Sequence, residues 1–226
     1  EDELLSTHLG SLFIGGKIAN HRSILRRFLR DHHPDETITE EIENAICLLK
    51  RELGMLPHQH TRLEIMGVEG YSANIYFGVF KHLILNPEFQ FEKRSKRPPK
   101  DEVNALLSFF YTFLAHDVRA ALETVGLDAY VGFLHTDRPG RPSLALDLME
   151  ELRGYLVDRF VLSVINKRQI NKHDFIAQGE NGYLIHEDTR KELICMWQKR
   201  KKDVITHPFL QEKIPIGLLP YAQAQL

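Results

Sequence analysis

The stretch SLALDLMEELRGYLVDRFVLSVIN, residues 143–166, decides the fold class, because its apolar residues recur with the 3.6-residue period of an α-helix. The main apolar stripe consists of Leu144, Leu148, Leu152, Tyr155 and Leu156. Ser143 precedes these residues and is the predicted cap, and the helix is expected to run to about Asn166. The stretch therefore predicts a long core helix.

A second apolar stripe on the same helix contains one acidic residue. The stripe consists of Leu146, Met149, Val157, Val161 and Val164, and Glu150 lies inside it. The other acidic residues, Asp147, Glu151 and Asp158, fall on a narrow polar side where we expect them to face solvent. The pattern therefore selects Glu150 as a carboxylate directed into the protein.

The rest of the chain predicts an all-α, multi-helix fold. Its long segments share the helical period, and no alternating run is long enough for a confident strand. Three further helices are expected, over residues 37–53, 61–85 and 101–124. Thr37 and Asp101 are the predicted caps of the first and the last of these helices.

We expect a single helical domain over residues 1–226. Residues 1–30 form its opening segment, and residues 205–226 form an irregular C-terminal tail. The apolar fraction of 43% is enough for a buried core. No apolar stretch reaches the roughly 18 residues that a membrane span needs. A soluble protein without a membrane partner is therefore expected.

Composition says little about partners. The formal net charge is −2, so total charge neither supports nor excludes nucleic acid, and any basic surface has to be local. Cys47 and Cys195 lack CxxC spacing and fall within apolar helical patterns. We therefore expect reduced thiols in the core and a cytoplasmic protein.

Glu69 is a second carboxylate in an apolar setting. On the helix predicted over 61–85 it shares a face with Ile65 and Phe80. Because burying an uncompensated carboxylate is costly, a cation or a hydrogen-bond donor should lie beside it. For Glu69 or Glu150 alone, a structural ion pair with an arginine or lysine is the simpler interpretation.

Two inward carboxylates together favour a metal site. Mg²⁺ prefers oxygen ligands, and Mn²⁺ also accepts an imidazole. His135 closes the apolar run 130–134 and opens a loop that is rich in arginine and proline. Glu69, His135 and Glu150 are therefore candidate ligands of Mg²⁺ or Mn²⁺. A histidine that is merely hydrogen-bonded at the end of a helix or strand is the alternative for His135.

Positive charge is concentrated beside these residues. Arg138, Arg141 and Arg153 flank the candidate ligands, and the loop over 92–100 is basic and stiffened by proline. Further candidates for DNA contacts lie in that loop: Lys93, Arg94, Lys96 and Arg97. Such clusters neutralise phosphates and make binding affinity depend steeply on salt.

Five strings resemble the signature blocks of a known family, the CRISPR-associated spacer-acquisition integrase and endonuclease, which is the universal nuclease of the adaptation step. The blocks are GKIANHRSILRR (16–27), GVEGYSANIYF (67–77), DEVNALLSFFYTFL (101–114), GFLHTDRPGRPSLALDLMEELR (132–153) and GLLPYAQAQL (217–226). They spread over essentially the whole chain, and the middle blocks are long. The chain resembles the C-terminal helical catalytic domain of that family.

The resemblance implies a catalytic site with one divalent metal. Its ligands would be Glu69 from VEGYSAN, His135 from FLHTDR and Glu150 from DLMEE. Asp147 is the reserve ligand, because some family members use an aspartate as the third acidic group. The implied reaction is metal-dependent phosphoryl transfer, in which the 3′-hydroxyl of a protospacer attacks a phosphate of the CRISPR repeat, or water cleaves the DNA.

The resemblance also implies partners. These are double-stranded or branched DNA and the small CRISPR-associated adaptor subunit with a nuclease fold. The family has a small β-rich N-terminal domain that drives homodimer formation. No such domain precedes Glu1. We therefore expect a fragment or processed form here, and a homodimer for the full-length protein.

Two other classes of function remain open. A non-catalytic helical DNA-binding scaffold of an adaptation complex would bind DNA without depending on Mn²⁺ or Mg²⁺. A partner-binding helical module would require an exposed apolar groove.

Overall fold

The computed structural model describes residues 3–136, 138–207 and 209–225. Residues 1–2 of the predicted opening segment, and 208 and 226 of the predicted tail, lie outside this part of the chain, as does residue 137 in the FLHTDR string. The helices are α1 Glu3–His32, α2 Glu36–Met55, α3 Arg62–Val79, α4 Glu102–Thr124, α5 Ser143–Leu152, α6 Arg159–Asn166, α7 Glu187–Arg200 and α8 Leu219–Gln225. A π-helical segment, Arg153–Asp158, joins α5 to α6. The strands are β1 Phe175–Ala177, β2 Tyr183–Ile185, β3 Val204–Thr206 and β4 Lys213–Pro215.

The mainly helical fold is confirmed, and the described part of the chain also contains four short strands that the sequence pattern did not predict. β1 and β2 pair antiparallel, with Phe175 opposite Ile185. β3 and β4 pair in the same way, with Val204 opposite Pro215. Strands of three residues are too short to produce an alternating pattern that can be read from sequence. The segment predicted as an irregular tail accordingly contains a hairpin and the short helix α8.

α1 carries polar residues into the interior. It is a single helix of 30 residues, in the region where we expected only an opening segment. Ile14 and Ile18 are fully buried, and α1 packs against α2, α3 and α5. Lys17 and His21 lie on the same side of the helix and are also buried. The helical period thus places a lysine and a histidine among core residues.

Aspartate side chains form the N-caps of α2 and α4. Asp101 caps α4 as predicted, since its Oδ1 accepts a hydrogen bond from the Asn104 amide at 2.7 Å. The predicted cap of α2, Thr37, was wrong. Asp35 takes that role, and its Oδ1 accepts from the Ile38 amide at 3.0 Å. Aspartate caps helices at least as well as threonine, so the helix begins at the earlier acceptor.

α4 is the central helix of the core. Leu106, Leu107 and Phe110 are fully buried, and α4 packs against α5, α6, α8 and the π-helical segment. The Phe110 ring lies 4.7 Å from that of Phe160 and 5.3 Å from that of Trp197, between ring centroids. This aromatic packing fixes α6 and α7 against α4.

Two sequence expectations concern the surface. In the described ranges, no helix is both long enough and apolar enough to cross a bilayer. Cys47 and Cys195 are free thiols and are exposed, so the expectation that they are core residues was wrong. Both lie on amphipathic helices, where apolar neighbours in sequence do not determine which side a given residue faces.

Candidate functional site

The helix that begins at Ser143 buries three carboxylates instead of one. Glu150 is buried as predicted, but Asp147 and Asp158 are both fully buried, so the expectation that those two aspartates face solvent was wrong. A loop over residues 129–135 covers Asp147. Asp158 ends the π-helical segment, whose wider turns shift it off the side predicted from a regular α-helix.

Asp147 holds the loop that carries His135. Its Oδ2 accepts the backbone amides of Phe133 and Leu134 at 2.6 and 2.8 Å. Its Oδ1 accepts the His135 amide at 2.9 Å and lies 2.6 Å from the His135 Nδ1. Because Asp147 engages Nδ1, the ring nitrogen of His135 that is left for a ligand is Nε2.

The same loop also caps α5. The Ala129 carbonyl accepts the amides of Leu144 and Ala145 at 3.0 and 3.3 Å, so it satisfies two of the free donors at the helix start. The prediction that Ser143 caps the helix was wrong. Its hydroxyl instead donates to the Thr136 carbonyl at 3.2 Å. Loop and helix are therefore tied together on both sides of His135.

Glu150 is held between two cations. Its Oε1 lies 2.9 Å from Nη2 of Arg153, and its Oε2 accepts from Nζ of Lys17 at 2.7 Å. Burial alone would raise the pKa of Glu150, but Arg153 and Lys17 outweigh burial and lower the pKa to about 2. Glu150 is therefore an anion at neutral pH despite its burial.

Lys17 joins this carboxylate to a second one. Its ammonium, on α1, also contacts the carboxylate of Glu69 on α3. Burial opposes the charge on Lys17, yet Glu150 and Glu69 raise its pKa above the ordinary value. The side chain of Glu69 is 29% exposed, against 7% for Lys17. Three helices thus bring two carboxylates onto one ammonium group, and Glu69 forms the open side of the cluster.

The structure brings the three predicted ligands into one region. Glu69 and Glu150 converge on Lys17, and His135 is close enough to Glu150 to contribute to its lowered pKa. Among the described residues, no three histidine, cysteine, aspartate or glutamate side chains already form a metal-binding cluster. Two carboxylates and an imidazole nitrogen are nevertheless a donor set that suits Mn²⁺ or Mg²⁺. In this structure, Glu69 and Glu150 are both held in ion pairs with basic side chains, as the simpler interpretation of each residue alone predicted.

Lys17 and His21 were missed by the sequence analysis, although a signal was available. Both lie on the apolar stripe of Ile14 and Ile18 in α1. The same criterion, a polar residue within an apolar stripe, had selected Glu150.

A buried polar network lies behind the cluster. The Arg153 guanidinium stacks over the Tyr111 ring at 4.7 Å, and the Tyr111 hydroxyl donates to Oδ1 of Asp158 at 2.6 Å. Burial raises the pKa of Asp158 to about 6, against the hydrogen bond from Tyr111. His21 stacks on Tyr76 with ring centroids 3.7 Å apart. Burial and the charge of Lys17 lower the pKa of His21 well below its ordinary value, so the imidazole is neutral.

The predicted DNA-contacting cations fall into two groups. Arg94 and Arg153 are turned inward. Arg94 lies over Tyr111 at 5.4 Å and donates to Asn104 Oδ1 at 2.7 Å and to Ser108 Oγ at 3.1 Å. The other cations lie on the surface, namely exposed Lys93, Lys96, Arg97 and Arg138, and half-buried Arg141. The second group is the one that can reach a phosphate backbone.

A separate groove of about 920 Å³ lies between the C-terminal half of α1, α6 and α7. Its lining is partly apolar, including Phe28 and Met196, and partly basic, including Arg27, Arg159 and Arg200. None of the three candidate metal ligands lines it.

The chain matches known proteins over most of its length. The family model for CRISPR associated protein Cas1 matches residues 1–199. A protein of Rhodospirillum rubrum named CRISPR-associated endonuclease Cas1 2 is 50% identical over 218 residues, which covers 93% of this chain and 63% of that protein. The chain therefore spans somewhat less than two thirds of the length of this relative.

Solved structures share the fold. The superposition on a chain of a partial Cas6-RT-Cas1–Cas2 complex has a TM-score of 0.83 at 26% identity and covers 99% of this chain and 64% of the other. The superposition on a casposase bound to integration product has a TM-score of 0.82 at 23% identity and covers 98% of this chain and 59% of the other. The half-identical relative and the family match agree with the five sequence blocks, and the chain belongs to the CRISPR associated protein Cas1 family.

Proposed function

We propose that the chain is the helical catalytic part of a metal-dependent DNA endonuclease and integrase that inserts protospacer DNA into a CRISPR array. The observation that carries the proposal is the convergence of Glu69 and Glu150, from two different helices, beside a histidine held in one orientation. The relative named as an endonuclease supports the reaction class. The casposase, described as bound to integration product, supports only the fold.

Glu69, Glu150 and Nε2 of His135 would hold one Mg²⁺ or Mn²⁺. When bound, the ion supplies Lewis-acid polarisation of the scissile phosphate and neutralises developing charge. Asp147 acts behind His135, where its contact with Nδ1 orients the ring. In this assignment Asp147 positions a ligand and does not serve as the reserve ligand, because both of its oxygens already accept hydrogen bonds from residues 133–135.

The reaction is an in-line displacement at phosphorus. In integration the oxygen of the protospacer 3′-hydroxyl forms a bond to a repeat phosphorus while the bond to the leaving 3′-oxygen breaks. The attacking hydroxyl loses its proton and the leaving oxygen gains one. Exposed Lys93, Lys96, Arg97 and Arg138, with half-buried Arg141, would bind the DNA backbone by charge. Arg153, fixed on Glu150, helps to keep that carboxylate in place.

We propose three kinds of partner. One superposed structure is a partial Cas6-RT-Cas1–Cas2 complex, which supports a small adaptor subunit as the first. The others are double-stranded or branched DNA and, for the full-length protein, a second copy in a homodimer. We also propose a cytoplasmic location, where free thiols such as those of Cys47 and Cys195 stay reduced.

A cleavage assay tests the proposal. Branched DNA is incubated with the protein in Mn²⁺, in Mg²⁺ and in EDTA, and then with Glu69→Ala, His135→Ala and Glu150→Ala. Cleavage or strand joining should require metal and be lost in all three variants. Glu43→Ala, which removes an exposed glutamate of α2, is the matched control and should retain activity.

The non-catalytic scaffold predicts a different result. It binds branched DNA equally in Mn²⁺ and in EDTA, and it yields no product with any divalent ion. That result, obtained with folded protein in complex with the adaptor subunit, would replace the nuclease assignment.

A further inference from the structure

Lys17 is a buried lysine that lies between the two glutamates of the candidate site. Its ammonium contacts the carboxylates of both Glu69 and Glu150, at 2.7 Å from Oε2 of Glu150. Lysine is almost never buried unless it is paired. Fully buried Ile14 and Ile18 flank it on α1, so the helix that presents the ammonium is anchored in the core.

The charges around this ammonium nearly cancel. Glu69 and Glu150 contribute two negative charges, and Lys17 and Arg153, in direct contact with them, contribute two positive charges. Lys96 adds a third positive charge close enough to interact with both glutamates. Divalent-ion affinity depends on the net ligand charge of a site. A divalent ion that approaches the two glutamates therefore meets little net attraction while both cations remain in contact.

Lys17 is the cation whose contacts a metal would have to replace. Arg153 contacts one glutamate, on its Oε1, and is also stacked on Tyr111. Lys17 contacts both carboxylates that would act as ligands. The four-carbon stem of lysine is flexible, so its ammonium can move while α1 stays in place.

We propose that Lys17 is a built-in competitor of the divalent metal. It keeps the two glutamates together as an ion-paired cluster, weakens the affinity of the site for metal, and gives up contact with them when the metal binds. This inference rests on the proposed function, because it takes Glu69 and Glu150 as metal ligands.

The test measures metal affinity in the absence of DNA. Lys17→Met removes the charge and keeps most of the side-chain volume. Titration calorimetry with Mn²⁺ should show affinity at least about tenfold higher for this variant than for the wild type. Its melting temperature should fall in EDTA, where Glu69 loses its ion-pair partner and Glu150 keeps only Arg153, and should recover with Mn²⁺. Unchanged or weaker affinity for Mn²⁺ would overturn the proposal.

Lys201→Met is the matched control. Lys201 makes a half-buried ion pair with Asp117, with Nζ 2.7 Å from Oδ1, and neither residue belongs to the site. This control should lower the melting temperature by the same amount in EDTA and in Mn²⁺, and it should leave the affinity unchanged. Recovery by Mn²⁺ in Lys17→Met alone distinguishes competition from a general loss of stability.

A second measurement uses the wild-type protein and does not depend on the folding of a variant. An amine-acylating reagent followed by mass spectrometry reports the accessibility of each lysine. Lys17 should react slowly in EDTA and several-fold faster in saturating Mn²⁺, while exposed Lys50 on α2 should react equally in both. Continued protection of Lys17 with Mn²⁺ bound would contradict its displacement.

Failure of this inference can be separated from failure of the proposed function. If Glu69→Ala and Glu150→Ala leave Mn²⁺ affinity intact, the metal site itself is wrong. If they abolish binding while Lys17→Met does not strengthen it, only the competition is wrong.

Discussion

His135 Nδ1 lies 2.6 Å from Asp147 Oδ1, and the same carboxylate accepts three consecutive backbone amides, those of residues 133–135. One buried side chain thus fixes both the path of the loop and the rotation of the imidazole. In metal sites, a carboxylate behind a histidine ligand sets its tautomer and its orientation. The pair therefore links the start of α5 to the proposed chemistry.

Asp147→Asn should impair both stability and cleavage. An amide has only one acceptor oxygen, so some of the four hydrogen bonds are lost in a buried location. We expect a loss of about 2–3 kcal/mol in the free energy of unfolding and a fall of about 10–100-fold in metal-dependent cleavage. Urea denaturation and a DNA cleavage assay measure the two effects. Asp128→Asn, an exposed aspartate that accepts one amide, is the control. Full cleavage by folded Asp147→Asn would show that His135 needs no orienting carboxylate.

Asp158→Asn should change how stability depends on pH. Burial raises the pKa of Asp158 from 3.8 to about 6 in the folded protein. Between these values the folded state binds more protons than the unfolded state, so this group lowers stability as pH rises. Above the folded pKa the wild type carries the full cost of a buried anion, about 3 kcal/mol for a shift of about two pKa units. Asparagine keeps an acceptor for Tyr111 and has no charge to bury.

Urea denaturation at pH 4 and at pH 8 measures this effect. The stability of Asp158→Asn relative to wild type should rise between the two pH values by about 2–2.5 kcal/mol, because part of the full cost is already present at pH 4. The exposed Asp128→Asn variant should show no such trend. A pH-independent difference for Asp158→Asn would mean that the aspartate is ionised in the fold without penalty.

Arg94 and Arg97 should respond to salt in different ways, although both lie in the same basic loop. Arg97 is exposed, so Arg97→Ala should lower the slope of log affinity for DNA against log salt concentration by about 1. Arg94 donates to Asn104 and Ser108, so Arg94→Ala should reduce stability and leave the slope unchanged. Binding titrations at several salt concentrations, with thermal melting in parallel, separate these outcomes. Equal slopes for wild type and Arg97→Ala would show that Arg97 does not contact the DNA backbone.

Helical periodicity predicted where the helices lie better than it predicted which of their polar residues are buried. It gave the helix over 101–124 with its Asp101 cap, and it gave the burial of Glu150. It failed for Asp147, because a loop that is distant in sequence covers that side of α5. It failed for Asp158 because a π-helical segment changes the number of residues per turn.

The cations of the site were harder to predict than its carboxylates. Glu69 and Glu150 stand out because an acid within an apolar stripe needs a partner. The partner Lys17 comes from a helix more than fifty positions away from Glu69 in sequence, and pairing between helices is not encoded in the period of either one. Arg94 and Arg97, in contrast, have the same charge and the same loop composition, and only the folded structure shows which one points inward.

Gly154→Ala should displace α1 from the site. A methyl group at Gly154 would lie 2.9 Å from Cδ2 of His21 and 3.2 Å from Cδ1 of Ile24, both buried on α1. Such overpacking costs about 1–3 kcal/mol, and here relief requires α1 to move away from the π-helical segment. Because α1 also carries Lys17, the ion pair with Glu150 should weaken. Gly67→Ala on α3 is the control, since no atom lies within 4 Å of its added methyl group; it should raise stability by up to about 1 kcal/mol. Thermal melting and Mn²⁺ titration of both variants test this packing. A Gly154→Ala protein as stable as the wild type would show that α1 can move away from the π-helical segment without loss of stability.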